Sequence, residues 1–388
     1  MKILHIITRL IVGGAQENTL LTCRGLHQRG HEVILLTGPS VGPEGSLVEQ
    51  ARSEGYQVME HPSLVRNPRP VKDAGAYFAI RSICHRLQPQ VVHTHSSKAG
   101  IIARYAAWHE KVPVVIHTIH GLPFHPYQPG VVNTAWIMLE RAAARRCHAI
   151  ISVADAMTAT ALQNGIGHRG QFHTIYSGMN TGPFLNPVNN RTSARQKLGI
   201  PADRLVLGTI ARLQPLKGHD DVLDITADLL AAHPQLHFLW IGDGVFRPRL
   251  EEMMAAHGWQ NRFTLTGLVP PAQVAELIPA MDILVHPSFR EGLPRAVPQA
   301  LLESVPVIAY DCDGAREVCV PQRTGILVPP GNRMALKAAV LQLAADAGQR
   351  TSMGQVGRQM CQQMFDANVM VDKIEALYEQ LDQPQLPA

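Results

Sequence analysis

What most constrains this chain is a pattern that occurs twice. Short β-branched runs alternate with longer segments of helical periodicity, the mark of parallel sheets with right-handed crossovers. The first series is KILHIIT (2–8), HEVILLT (31–37), QVVHTH (90–95), PVVIHTIH (113–120), AIISVA (149–154) and FHTIYSG (172–178). The second is LVLGTIAR (205–212), LHFLWIGDG (236–244), RFTLTGLV (262–269), DILVHPS (282–288), VPVIAYD (305–311) and TGILVPP (324–330). A chain of 388 residues exceeds the size at which one core stops growing, and 46% hydrophobic residues suffice for two buried sheets. The expectation is α/β: two Rossmann-like doubly wound domains, residues 1–182 and 197–365, joined by the Pro-, Asn- and Ser-rich PFLNPVNNRTSARQ (183–196).

Composition excludes several classes. There is no apolar run of about 18 residues that would span a membrane, and the N-terminal KILHIITRLIVGG carries Arg9 and no A-x-A cleavage site, so it reads as a first strand and loop. Six cysteines lie far apart without a C-x-x-C, which speaks for inert core residues in a reducing cytoplasm. Residues 1–180 carry 17 Lys+Arg against 10 Asp+Glu, leaving 18 against 21 for the rest, and hold 14 of the 19 histidines. The basic first half would be drawn to a phosphate-bearing partner such as an anionic membrane surface. Nucleic acid is disfavoured by 5% aromatics and by the absence of a basic run.

The densest motif is HPSFREGLPRAVPQALLESVPVIAYDCDGAREV (286–318), where a buried strand ends in a polar turn and opens a helix. Pro294 suits a first helical position, and a helix starting there would offer backbone N–H groups and a positive dipole end to phosphate. Glu291 and Gly292 sit in the turn ahead, and Arg295 and Gln299 are four apart on one helix face. That face is either a phosphate and hydroxyl pocket or a solvated surface. In GTIARLQPLKGHDD, Arg212 ends a strand and Lys217-Gly218 follows, two cations with room for a diphosphate between them, or plain surface charge. Gly13-Gly14 after the first strand permit close backbone approach or serve only a tight turn, and they are not the dinucleotide fingerprint. His93 and His95 share a strand face ahead of Ser97 and Lys98, and without a third spaced ligand a polar cleft wall is favoured over zinc.

The chain resembles the retaining glycosyltransferases of family 4, which have the GT-B fold of two such domains facing a cleft. In that family a Glu, seven residues and a second Glu lie between a PS-like strand end and a PVIA strand; here they are Glu291 and, neutralised, Gln299. Arg212-Leu213 and Lys217-Gly218 match the family's R-L-x-x-x-K-G, and the glycine pair is followed by Ala15-Gln16 where the family has A-E. Ser304 stands where the family has Gly. The resemblance implies that the catalytic groups are His120, Glu291, Arg212 and Lys217. It gives the donor side as Gly13, Gly14, Leu268, Val269, Gly292, Leu293, Pro294, Arg295 and Gln299 as well, and the acceptor side as His95, Ser97 and Lys98. It further implies that a final helix, about 366–388 and containing NVMVDKIEALYEQL, packs back on the first domain.

The activity expected is transfer of a sugar, with retention, from a nucleotide diphosphate donor to a hydroxyl of a glycan or lipid-linked acceptor in bacterial surface polysaccharide, lipopolysaccharide or glycolipid synthesis. No metal or cofactor is expected beyond a UDP- or GDP-sugar co-substrate, since the Arg212 and Lys217 side chains would neutralise the leaving diphosphate in a metal's place. Alternatives are a catalytically silent sugar-nucleotide-binding protein and a GT-B epimerase or phosphorylase. The expected location is the cytoplasm, at most peripheral to the inner membrane face.

Overall fold

The computed structural model describes residues 1–40 and 45–383. It divides into two compact units, Met1–Met179 with the chain from Asp366 onward, and Asn180–Phe365. In the first unit seven parallel strands run β1 (Lys2–Arg9), β2 (Glu32–Gly38), β3 (Gln57–Glu60), β4 (Val91–His95), β5 (Val114–Ile119), β6 (Ala149–Ser152) and β7 (Phe172–Thr174), in the order β3-β2-β1-β4-β5-β6-β7. In the second unit six parallel strands are β8 (Leu205–Ile210), β9 (Leu236–Ile241), β10 (Phe263–Leu265), β11 (Ile283–His286), β12 (Val307–Tyr310) and β13 (Gly325–Val328), in the order β10-β9-β8-β11-β12-β13. The inner strands are buried on both faces, which is why they read as near-continuous apolar runs. Each order reverses once, at β1/β4 and at β8/β11, and ligands of doubly wound sheets collect outside the strand carboxyl ends at such a switch point.

Strand β3, absent from the sequence expectation, is an edge strand whose burial never rises above intermediate, so it carries no apolar alternation. The segment expected as a connection is instead part of the second unit: Gly182–Leu185 and Arg191–Leu198 are helices, the latter capped by the Asn190 side chain accepting from the Ser193 N–H. The final helix spans Ala367–Asp382 and lies in the first unit; residues 384–388 of the expected helix lie outside the described residues. Its Met370, Val371, Ile374, Leu377 and Tyr378 recur at helical spacing and join the core of β1, β4 and β5. Arg29 on the opposite side of the joint pairs with Glu375 at 2.9 Å and with Asp372.

The helix Ala296–Leu302 closes with a double hydrogen bond, Val305 N–H to the Ala300 carbonyl and Ser304 N–H to the Leu301 carbonyl. This end requires a left-handed residue, and Ser304 has φ +61°. A side chain in that region is crowded by its own carbonyl, which is why glycine suits the position. Ser304→Gly is therefore expected to raise unfolding free energy by about 1 kcal/mol, less the unfolded-state entropy that glycine adds. Urea denaturation checks it; a loss of stability would show that the serine makes a compensating contact.

Candidate functional site: two switch points

In the second unit the loop after β8 and the loop after β11 are stitched together at the switch point. The Phe289 N–H and the Ser288 hydroxyl both donate to the Leu216 carbonyl, at 2.9 and 3.2 Å. Gly218 has φ +74°, and a Cβ there would stand 2.0 Å from the Pro287 carbonyl oxygen, so only glycine lets the two loops meet. The approach sets Lys217 Nζ 2.6 Å from Glu291 Oε1 and 3.4 Å from the Ser288 hydroxyl. His286, the last residue of β11, places Nε2 3.2 Å from the same Oε1. The Glu291 N–H donates to Asp313 at 2.7 Å, and the Gly314 N–H to the Gly292 carbonyl, so the loop after β12 supports the turn from behind. Burial pushes the Glu291 carboxyl up, but the Lys217 ammonium and the His286 ring outweigh it and hold it well below the usual carboxylate range. Arg212 is exposed beside this group, and among the described residues no ion pair engages its guanidinium.

The helix beyond the turn differs from expectation. It begins at Ala296, not Pro294, and is seven residues long; Pro294 is buried ahead of it and Arg295 occupies the cap position. The Val297 N–H is spent on the Pro294 carbonyl at 3.1 Å, and Pro298 has no N–H at all. Of the four donors a helix start normally leaves open, these two are therefore lost, so the backbone cradle expected for phosphate is reduced. The Leu293 side chain is buried, while Gln299 is half-exposed one turn in. Leu268 is 55% exposed after the left-handed Gly267, with Val269 beside it.

In the first unit, Gly13 has φ 173° and precedes the helix Gly14–Gln28 without a side-chain cap; extended backbone of this kind suits any residue, so its conformation does not demand glycine. The helix Ser97–His109 starts at the end of β4, with the Ser96 hydroxyl 2.7 Å from Thr8 of β1. A cavity of about 250 Å³ is lined by Ala15, Ser97, Thr118, His120, Gly121 and Leu122 among others. Of the residues expected on the acceptor side, Ser97 opens on it. Lys98 does not: its ammonium pairs with Asp73 and donates to the Asn67 carbonyl. His95 is not a cleft wall but fully buried behind His120, with Nδ1 3.0 Å from His120 Nε2.

A third histidine does join His93 and His95, from a strand that sequence spacing did not connect to them: His5 of β1, in register with His93. As a metal centre the trio is poorly disposed. His93 uses Nδ1 on the Tyr378 hydroxyl and Nε2 on Thr118, and His95 uses both nitrogens on His5 and His120, so only His5 Nε2 remains to ligate.

A cavity of the second unit, about 500 Å³ and lined by Asp282, Glu303, Arg350 and Arg358 among others, lies at the amino ends of β11 and β12. Burial pushes the Glu303 carboxyl up to about 9 there. We place the site at the opposite, carboxyl end, where the switch point and the ion pair are. His286, Ser288, Asp313 and His5 escaped the sequence reading; a polar residue closing an apolar strand, as His286 does, was the available signal.

Residues 190–360 match the family described as Glycosyl transferases group 1, and residues 12–182 match Glycosyltransferase Family 4. The chain is 23% identical over 97% of its length to an Escherichia coli UDP-Gal:alpha-D-GlcNAc-diphosphoundecaprenol alpha-1,3-galactosyltransferase, covering 96% of that protein. It is 29% identical over 86% of its length to a Mycolicibacterium smegmatis GDP-mannose-dependent alpha-mannosyltransferase, also covering 86% of it. Among solved structures, Anabaena HepE in complex with UDP superposes with a TM-score of 0.83 at 20% identity, over 98% of this chain and 100% of that one.

The depressed carboxyl yields a test. A carboxylate whose folded pKa lies below its ordinary 4.5 adds stability that is present above that pH and lost as acidification passes the folded value. In Lys217→Met only burial and His286 remain, so the Glu291 carboxyl is expected to titrate at higher pH than in the wild type, read by carbon-13 NMR of the Glu side chains. An unchanged titration would show that the ion pair does not govern it.

With both halves matched and both sheets in place, the chain belongs to the GT-B glycosyltransferases of the group 1, family 4 type.

Proposed function

We propose that the protein transfers a sugar, with retention of anomeric configuration and without a metal ion, from a nucleotide diphosphate donor to a hydroxyl of a glycan or lipid-linked acceptor. The observation that carries the reading is the 2.6 Å contact of Lys217 with Glu291, which joins a cation suited to diphosphate to a carboxylate suited to sugar hydroxyls. Lys217 has three N–H bonds; Glu291 and Ser288 engage two, and the third remains for a phosphate oxygen. Arg212 adds a fork for the other phosphate, and these two charges take the part a metal would play. Glu291 then accepts from the donor sugar, and Leu268, Val269, Gly292, Arg295 and Gln299 bound the nucleotide.

Retention follows if the acceptor attacks from the face the diphosphate leaves. The C1–O bond to the diphosphate breaks, the acceptor oxygen bonds to C1, and the departing phosphate oxygen takes the acceptor proton, so no protein base is needed. Within the first unit we assign acceptor binding to His120 and Ser97, which line its cavity, with Gly13 and Gly14 at the start of the helix that brings Ala15 to the same lining. Support for a nucleotide sugar comes from the UDP and GDP-mannose in the names of the proteins compared above.

Incubating the protein with UDP- and GDP-sugars and hydroxyl acceptors, and reading anomeric configuration of the product by NMR, tests the proposal. Inversion, or conversion of the nucleotide sugar without an acceptor, would overturn it. Lys217→Ala and Arg212→Ala are each expected to lower kcat/KM by about 30- to 1,000-fold, equivalent to about 2–4 kcal/mol of transition-state stabilisation.

A lipid-linked acceptor is favoured by the helix Gly130–Ala144, which leaves Val131 77%, Met138 63% and Leu139 48% exposed, with Arg145 exposed at its end. Core packing accounts for only part of the apolar face, since Trp136 and Ile137 are half-buried. Among the described residues no helix is long and apolar enough to cross a membrane, so this contact would be peripheral. The protein is expected to sediment with anionic vesicles and to dissociate as salt passes about 0.1 M, where screening falls to about 10 Å. Equal binding to neutral vesicles, or full binding by Met138→Glu/Leu139→Glu, would count against it.

A further inference from the structure

His5, His93 and His95 are fully buried in the first unit. Parallel register sets His5 beside His93 and His95 beside Thr118, and strand alternation puts them on the face that Tyr378 covers. Three of the imidazoles in this region are joined in series. His5 Nδ1 lies 3.0 Å from His95 Nε2, and His95 Nδ1 lies 3.0 Å from His120 Nε2. The rings of His5 and His95 stack within 16°, and those of His95 and His120 within 25°. The series therefore runs from a dry core to the half-buried residue lining the cavity of the first unit.

Burial holds His5 and His95 neutral: His5 is pushed down to about 3, and His95 well below the ordinary range, first by desolvation and then by its histidine neighbours. A neutral imidazole has one N–H and one bare nitrogen, so when His120 is neutral as well the series of three has only two proton arrangements that keep both hydrogen bonds. If each ring donates inward, the last proton stands on His5 Nε2, which has no hydrogen-bond partner. His93 gives it none, because both His93 nitrogens are committed to Tyr378 and Thr118. If each ring donates outward, His5 Nε2 is a bare lone pair and every N–H in the series except the last is used within it. A buried N–H without an acceptor is the rarer and more costly defect, so the outward arrangement prevails.

We propose that His95 is a positioning residue: it donates its Nδ1–H to His120 Nε2 and thereby holds His120 as the Nδ1–H tautomer. At the ring nitrogen not used by His95, His120 then offers a proton and not a lone pair. A substrate oxygen meeting that nitrogen is held by a donor, and His120 does not act there as a base. This deepens the proposed mechanism, in which the leaving phosphate oxygen takes the acceptor proton, and it rests on that reading only for the role of His120 in transfer. The tautomer itself is a property of the unliganded protein.

Long-range proton–nitrogen correlation spectra of protein carrying nitrogen-15 histidine distinguish the two neutral tautomers by their cross-peak patterns. The wild type is expected to show His120 as Nδ1–H. His95→Phe, which fills the space and donates nothing, is expected to release His120 into a mixture with the Nε2–H form, and His95→Gln, whose amide donates, to retain the wild-type pattern. Turnover is expected to follow: kcat falls about 10- to 100-fold in His95→Phe, as on loss of an orienting partner, with donor KM little changed, and recovers in His95→Gln. An Nε2–H pattern in the wild type overturns the proposal, and needs no variant to fold. So does an Nδ1–H pattern that survives in folded His95→Phe. If His95→Phe loses the pattern and keeps full turnover, the hydrogen-bond assignment stands and the part of His120 in transfer falls.

Discussion

The close approach of two loops, residues 211–218 after β8 and 287–293 after β11, governs the second unit's site. It depends on an absence: with any Cβ at position 218 the Pro287 carbonyl would be displaced, and Lys217 with it. Once the loops touch, two residues 74 positions apart in sequence form an ion pair that is mostly shielded from water, each side chain under one-fifth exposed. The carboxylate so formed is contacted by Lys217 and His286, and its turn is held in place by the Glu291 N–H donating to Asp313. Such a group stays ionised and stays in place, which is what recognition of a neutral hydroxyl ligand by an anion requires.

The first unit meets the opposite problem, polar rings in a dry core. Three neutral imidazoles lose hydration on burial, and only hydrogen bonds restore the loss. Five of their six nitrogens have partners, and Tyr378, contributed by the last helix of the chain, supplies one at 2.5 Å. That helix therefore does two things at once: its apolar stripe covers β1, β4 and β5, and its one hydroxyl in this layer satisfies His93. A network so nearly complete specifies one packing, and its single unsatisfied atom gives it a direction.

The sheets were legible because both of their faces are covered: a strand buried on two sides must be apolar throughout, and twelve such runs stand out in the sequence. Strand β3 was not legible, because its four residues, QVME, hold only two apolar positions between a glutamine and a glutamate and none of them is fully buried. The Arg212, Lys217 and Glu291 positions were found from local spacing and from resemblance. What spacing could not give was pairing: that Lys98 is spent on Asp73, that Lys217 meets Glu291, or that His5 comes to His93 by strand register. Histidines 93 and 95 read as a polar cleft wall because alternation reports which residues share a face and not which face is covered.

The helix at Ala296 shows how a single residue redistributes the work of binding. A proline at its third position removes one open N–H, and the tightened first turn consumes another on Pro294. Two of the four backbone donors that a regular helix start would aim at phosphate are thus missing. On the proposed reading the diphosphate charge must then be met by side chains, by the Arg212 fork and the remaining proton of Lys217, with Arg295 at the cap position. The same geometry makes a neutral Gln299 intelligible. Its half-exposed amide stands one turn from Arg295 on the same face, and a neutral group there adds no carboxylate to compete with phosphate for the cations of the loop.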